Sequence, residues 1–242
     1  MKGYLYLVGA GLQRDHITIR GLNVLKAADV VLYDRLIDRK ILHDINGEII
    51  DVGKLPYKHG TKQSGINELL KKYLLENKRV VRLKGGDTSI FARSIEEIGI
   101  AKEVGANIEV IPGVTAASVA VSKILCSLTD RQTSSGVIFI TGHKCVGELD
   151  DLYDWQALVK LNMTIVIYMG AKNMPFIIDK LLESGLKPEI PLLVAEKLET
   201  VDERIFLTKA IDARDPLEKV DNPVITIISE VLYYSNITLD NE

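Results

Sequence analysis

Cysteine is nearly absent: Cys126 and Cys145 are the only two among 242 residues. So few thiols exclude a disulfide framework and fit a reducing, cytoplasmic setting. Neither has a second Cys or a His at zinc-ligand spacing, and His143 lies two residues from Cys145, so no metal site is expected. Long hydrophobic runs are missing too. No stretch approaches the roughly 20 apolar residues that cross a bilayer, and no membrane association is expected. The apolar opening Tyr4–Gly11 is short, lacks a basic leader and a small-residue cleavage pattern, and runs directly into Arg14 and Asp15. It is expected to be part of the fold, not a signal peptide. Neither sign of charge dominates, with 30 Lys and Arg against 33 Asp and Glu for a net −3. Nucleic-acid coats and binders of anionic membranes carry an excess of positive charge, so neither class is expected.

What is present is the composition of a soluble globular protein, 47% hydrophobic and 26% charged, long enough to bury a sizeable core. In the first half, short β-rich runs at Tyr4–Val8, Val30–Tyr33, Glu48–Val52, Arg79–Lys84 and Asn107–Ile111 alternate with helix-like stretches. In one of these, Ile66, Leu69, Leu70, Tyr73 and Leu74 recur at helical spacing. Strands alternating with helices imply right-handed crossovers and a mainly parallel sheet. Their unbroken apolar character implies cover on both faces. Pro112-Gly113 marks a break, followed by a small-residue helix over Val114–Lys123. Further strands are expected at Val137–Thr141, Thr164–Met169, Leu192–Glu196 and Val224–Ser229, with a shorter one, Arg204–Leu207, in a hairpin. The acidic stretch Glu148–Asp154 reads as a solvated loop. The expected organisation is α/β throughout: residues 1–112 with a mainly parallel sheet and residues 113–242 with a mixed one.

Several strand ends carry chemistry. Gly9-Ala10-Gly11 permits a tight turn and close backbone approach to a ligand. Both a dinucleotide loop and a plain strand-to-helix turn fit, although Arg14 stands where a third glycine would be. Arg82-Leu83-Lys84-Gly85-Gly86-Asp87 places two glycines and an acid where open α/β sheets bind ligands; a simple turn is the alternative. Asp34 and Lys54 follow neighbouring strands, where a carboxylate could accept a proton and an ammonium donate one. An ordinary surface ion pair fits the same spacing. Pro112-Gly113-Val114-Thr115-Ala116-Ala117 enters a helix with small residues, and Tyr168-Met169-Gly170 ends a strand.

In order and spacing these segments resemble the tetrapyrrole methylase family. The resemblance is carried by Tyr6–Gly11, Ala28–Leu36, Val52–Lys54, His59, Gln63–Asn67, Val80–Asp87, Ile111–Ala117, Thr141–His143 and Tyr168–Gly170. It implies two α/β domains with a ligand cleft between them, a homodimer, and S-adenosylmethionine as methyl donor without a metal. The implied cofactor contacts are Gly11, Leu12, Gly85, Gly86, Asp87, Ile90, Thr115, Ala116, Met169, Leu198 and the backbone near Pro223. Asp34 matches a proton acceptor and Lys54 a proton donor.

Within the family the pattern is most similar to enzymes that methylate carbon atoms of uroporphyrinogen III to give precorrin-2, toward siroheme or cobalamin. That substrate carries eight carboxylates, which arginine suits, so Arg35 and Arg131, with His59, are the expected substrate contacts. Arg14, Arg82, Lys84 and Arg93 also lie in or beside the motif loops. Methylation of a later corrin precursor, a non-catalytic relative that binds S-adenosylmethionine, and a nicotinamide-dependent oxidoreductase are the alternatives.

Three loops depart from the family. Leu12-Gln13-Arg14-Asp15-His16 replaces a Pro-Gly-Asp-Pro type turn, Thr88 replaces a proline, and Ala92-Arg93-Ser94-Ile95 replaces Gly-Arg-Gly-Gly. In addition, Thr129-Asp130-Arg131 replaces Thr-His-Arg. Lost glycines and prolines alter the allowed dihedrals of the substrate-side loops.

Overall fold

The computed structural model describes residues 2–43, 45–53, 62–143 and 149–236. The chain packs as two compact units, Met1–Thr115 and Ala116–Glu242.

The first unit runs β1 (Tyr4–Gly9), α1 (Ile19–Lys26), β2 (Val30–Tyr33), β3 (Glu48–Asp51), α2 (Lys62–Leu75), β4 (Arg79–Lys84), α3 (Ser94–Glu103) and β5 (Asn107–Ile111). All five strands are parallel, in the order β3-β2-β4-β1-β5. The two-residue period of a strand sorts each apolar run into two cores. Leu5, Leu7, Val30, Leu32 and Val80 pack with Leu70 and Leu74 of α2 and Ala101 of α3. The intervening Val8, Val31, Tyr33, Val81 and Leu83 pack with Val24 and Leu25 of α1. Helix α1 starts at Thr18, whose hydroxyl accepts a hydrogen bond from the Gly21 amide at 3.0 Å, as expected of an N-cap. The chain leaves β1 and β4, which are neighbours, in opposite directions along the sheet. Their carboxyl ends therefore open a crevice of the kind in which α/β sheets hold ligands.

At the opposite end of the sheet, Asp29 ties β2 to β4. Its carboxylate accepts from the Arg79 amide at 2.7 Å and from the Arg79 guanidinium at 2.9 Å. The Arg79 side-chain bond, then its amide, holds the Asp29 carboxyl down at about 2. A carboxyl depressed below its unfolded value, about 3.9, adds stability that is complete above that value and vanishes as pH falls toward 2. Asp29→Asn is therefore expected to be less stable than the parent at pH 6 and nearly equal to it near pH 2, read by urea denaturation at both. A gap of constant size would show that the pair contributes nothing through charge.

The second unit runs α4 (Ala116–Lys123), β6 (Val137–Thr141), α5 (Trp155–Lys160), β7 (Thr164–Tyr168), α6 (Met174–Glu183), β8 (Pro191–Glu196), β9 (Arg204–Lys209), α7 (Arg214–Glu218) and β10 (Val224–Ile228). Its sheet has the order β6-β7-β10-β8-β9. β6 and β7 are parallel and every other pairing is antiparallel, so the sheet is mixed and β8 and β9 form the expected hairpin. Met174, Ile177, Ile178 and Leu181 of α6 fill the core on one face against Ile165, Ile167, Leu192 and Val194. Helix α4 lies against β10.

The acidic stretch is not simply a solvated loop. Asp154 caps α5 by accepting from the Ala157 amide at 2.9 Å, and Asp150 accepts from the Trp155 indole at 3.0 Å. Acids before a helix start are recruited by its unpaired amides, a demand that local composition does not reveal. Glu148 lies outside the described residues. Among the described residues no helix is long and apolar enough to cross a membrane.

Candidate active site

At the carboxyl end of the first sheet, three glycines from three strand ends pack backbone on backbone. A Cβ on Gly9 would sit 2.5 Å from the Gly113 nitrogen, and one on Gly113 would sit 2.3 Å from the Gly86 oxygen. Gly11 and Gly86 exchange hydrogen bonds, 3.1 Å from the Gly11 amide and 2.8 Å from the Gly86 amide. Both occupy the left-handed region, at φ 64° and 70°. Leu12 follows, its amide donating to His16 Nδ1 at 3.4 Å.

Asp87 locks this arrangement. Its Oδ1 accepts from the Ser89 amide at 2.7 Å and its Oδ2 from the Gly113 amide at 2.9 Å. Burial alone would raise this carboxyl, but the Ser89 and Gly113 bonds outweigh burial and lower it. In this geometry Asp87 serves the loop. In Asp87→Asn, one of the two bonds would meet an amide NH₂ instead of an acceptor. An unsatisfied donor pair costs about 1–3 kcal/mol, so a fall in melting temperature is expected. An unchanged melting temperature would mean that the loop holds its shape without Asp87.

Beside the crevice, even-numbered residues of β4 turn toward α2 and α3, and two of them are cationic. Arg82 and Lys84 are each 3% exposed, and Glu97 of α3 is 0% exposed. Arg82 Nε donates to Glu97 Oε1 at 2.8 Å and Lys84 Nζ to Glu97 Oε2 at 2.6 Å. Arg82 Nη2 reaches Asp34 Oδ1 at 2.5 Å. The second guanidinium end, Nη1, donates to the Leu83 carbonyl at 3.1 Å. Burial works against the Arg82 charge, but Asp34 and Glu97 outweigh it and the guanidinium holds its proton more tightly than usual. For Lys84, burial and then Arg82 lower the ammonium, and Glu97 offsets them only in part. Asp34, Gln63, Ile66, Arg82, Lys84, Gly85 and Ile90–Arg93 line a pocket of about 260 Å³, closed also by Leu36.

In the loop where Ala92-Arg93-Ser94-Ile95 replaces Gly-Arg-Gly-Gly, the left-handed residues are Phe91 and Arg93 and not the three positions that lack the glycines. Phe91 has φ 50° and Arg93 φ 54°, and Arg93 Nε donates to Glu96 Oε1 at 2.7 Å. Left-handed geometry costs an L-residue roughly 1–2 kcal/mol.

The second unit gathers its expected cofactor residues at one edge of its sheet. Met169 follows β7, 47% exposed and at φ 57°. Leu198 follows β8 and is buried. Pro223 precedes β10, which pairs antiparallel with both, and its carbonyl accepts from the Lys197 amide at 2.8 Å. Helix α4 begins at Ala116 by the same edge, where the Ala117 amide donates to the Tyr168 hydroxyl at 3.4 Å. Thr115, half-buried, closes the first unit.

The Tetrapyrrole (Corrin/Porphyrin) Methylases family profile matches residues 4–213. The chain belongs to the tetrapyrrole methylase family. It is 35% identical to the uroporphyrinogen-III C-methyltransferase of Priestia megaterium, over 96% of this chain and 100% of that protein. It is 38% identical to the siroheme synthase of Tolumonas auensis over 95% of this chain and 49% of that protein. The chain thus spans about half the length of the siroheme synthases it matches. Among solved structures, the uroporphyrin-III C-methyl transferase of Thermus thermophilus complexed with S-adenyl homocysteine superposes with a TM-score of 0.80. It is 32% identical, with 96% of this chain and 94% of that one covered. A cobalt precorrin-4 methyltransferase has the same fold, with a TM-score of 0.83 over 95% of both chains at 24% identity.

As a member of this family, the chain sorts its expected site residues into distinct environments. Gly11 and Leu12 follow β1 and Gly85, Gly86 and Asp87 follow β4 at the carboxyl end of the first sheet, and Gly85 and Ile90 line the pocket with Asp34. Arg35 and Arg131 are exposed and form no ion pair with the described residues. Arg82 and Lys84 are interior and engaged by Glu97. Lys54 and His59 lie outside the described residues. Among those residues no three His, Cys, Asp or Glu side chains form a metal-binding group. Sequence reasoning missed Glu97. A signal existed: Arg82 and Lys84, spaced by two with apolar Val80 before them, share one strand face, and if that face is buried they require an acid there.

Proposed function

We propose that this protein transfers methyl groups from S-adenosylmethionine to two carbon atoms of uroporphyrinogen III, giving precorrin-2 for siroheme or cobalamin synthesis. The observation that carries this reading is the similarity to the Priestia megaterium enzyme across that enzyme's entire length. The corresponding half-length match to siroheme synthases agrees with it.

S-adenosylmethionine supplies an already activated methyl, so the protein's task is chiefly alignment, which can be worth up to about 7–11 kcal/mol. The strand-end backbone suits this. A Cβ on Gly86 would meet nothing within 4 Å, leaving room for a ligand against the chain, and Met169 presents a partly exposed side chain from a left-handed turn. On this reading Gly11, Leu12, Gly85, Gly86, Ile90, Thr115, Ala116, Met169, Leu198 and the Pro223 backbone hold the donor, and Asp87 shapes their loop. Asp34 accepts the proton lost from the pyrrole system as the carbon–methyl bond forms, and Lys54 returns one. Arg35, His59 and Arg131 bind substrate carboxylates. Action as a homodimer in the cytoplasm belongs to the same proposal.

The test is an anaerobic incubation with S-adenosylmethionine and enzymatically made uroporphyrinogen III, with methyl groups counted by mass spectrometry. Two added methyls are expected. No addition, with the donor demonstrably bound, would reject the substrate and favour a later corrin precursor or a binding protein without turnover.

A further inference from the structure

We infer that Glu97 is a positioning residue for methyl transfer, acting on Asp34 through Arg82. This rests on the proposed role of Asp34 as proton acceptor. The route is short and continuous. Glu97 is fully buried and divides its two oxygens between Arg82 Nε and Lys84 Nζ, at 2.8 and 2.6 Å. The guanidinium is planar, so fixing Nε fixes the direction of its other nitrogens. Nη1 is anchored on the Leu83 carbonyl and Nη2 is aimed at Asp34 Oδ1. Asp34 is the partly exposed end of the chain, with a side chain 34% accessible beside one of 3% for Arg82. Its Oδ2 has no partner among the described residues. Glu97 therefore lies too deep to touch substrate and sets where the Asp34 carboxylate points. Two cations sharing one acid also explain why a strand so apolar carries Arg82 and Lys84 at all. Each has a carboxylate from another element to offset the cost of burying its charge. Gln63, with its amide 3.5 Å from Glu97 Oε1, closes the cluster from α2.

Glu97→Leu alone would leave the buried Lys84 cation without a carboxylate among the described residues, so the test uses Glu97→Leu/Lys84→Met, which leaves Arg82 and Asp34 as a neutral pair. Three readouts separate positioning from general damage. Methyl transfer at saturating substrates is expected to fall tenfold or more, while the dissociation constant for S-adenosylmethionine stays within about twofold. In an Asp34→Asn background the same double change is expected to cost less than threefold, because Glu97 acts through a group already disabled; interacting sites are non-additive in this way. The Asp34 carboxyl-carbon resonance, read by NMR on substrate-free protein, is expected to move in the double variant. Equal losses in both backgrounds, or an unmoved Asp34 resonance, would overturn the inference. Normal turnover by Asp34→Asn would instead remove the proton-acceptor role beneath it, even where the resonance moves.

Discussion

Glu97→Leu is expected to lower the free energy of unfolding by about 3–5 kcal/mol, the usual result of removing one partner from a buried ion pair. The size follows from burial. Glu97 is 0% exposed and the cations it serves are each 3% exposed, so water cannot replace the lost carboxylate. Arg82 would keep Asp34, but Lys84 would have no remaining carboxylate at its nitrogen among the described residues. Urea denaturation, with the midpoint moving at constant slope, gives the number. Removing the whole buried cluster as Glu97→Leu/Arg82→Met/Lys84→Met is expected to restore most of it, because apolar replacement of a complete buried ion group is often neutral. A loss below about 1 kcal/mol for the single change would place that cluster among surface ion pairs, whose typical worth this is.

Gly113→Ala is expected to abolish or sharply weaken donor binding, by more than tenfold in dissociation constant on the proposed function, and to destabilise the fold by at least about 1–3 kcal/mol of overpacking. The added methyl would lie 2.3 Å from the Gly86 oxygen and 2.7 Å from the Gly9 carbonyl carbon. Both are backbone atoms at strand ends, so no rotamer change relieves the contact, and the loops after β1, β4 and β5 must separate. Gly65→Ala is the control. It sits within α2 with nothing within 4 Å of a new Cβ, and alanine in a helix is favoured by about 0.5–1 kcal/mol over glycine. Isothermal titration with S-adenosylmethionine distinguishes the two. Equal affinities would mean that the glycine contact does not shape the donor site.

These two sites also mark where sequence reasoning stops. The central strands were legible because a strand buried on both faces is a continuous apolar run, as in Val30–Tyr33, and α2 because Ile66, Leu70 and Leu74 repeat at helical period; the edge strands β3, β5 and β6 are partly exposed and lack the expected cover on both faces. The hairpin of β8 and β9 was visible from the short run Arg204–Leu207 following Leu192–Glu196. The ordered motifs were enough to name the family. Arg82 and Lys84 were visible as cations in a motif loop, and Arg35 and Arg131 are the expected substrate contacts ahead of them, without any sign in the sequence that the first two are buried.

Tertiary structure alone separated them. Glu97 is fifteen positions from Arg82, and nothing local states that α3 turns that residue, and not its neighbour Glu96, toward β4. Glu96 instead pairs at the surface with Arg93. The glycines at 9, 86 and 113 each announce a turn, but their mutual packing depends on β4, β1 and β5 being adjacent, which is a property of strand order. The left-handed geometry of Phe91 and Arg93 runs against local preference and is held by the surrounding loop. By itself the sequence determined the strands, the family and the list of strand-end residues, because these depend on periodicity and on short-range order. Which charges are buried, which acid orients which arginine and which backbones touch were decided only in the folded chain, because those facts depend on contacts between segments far apart in sequence.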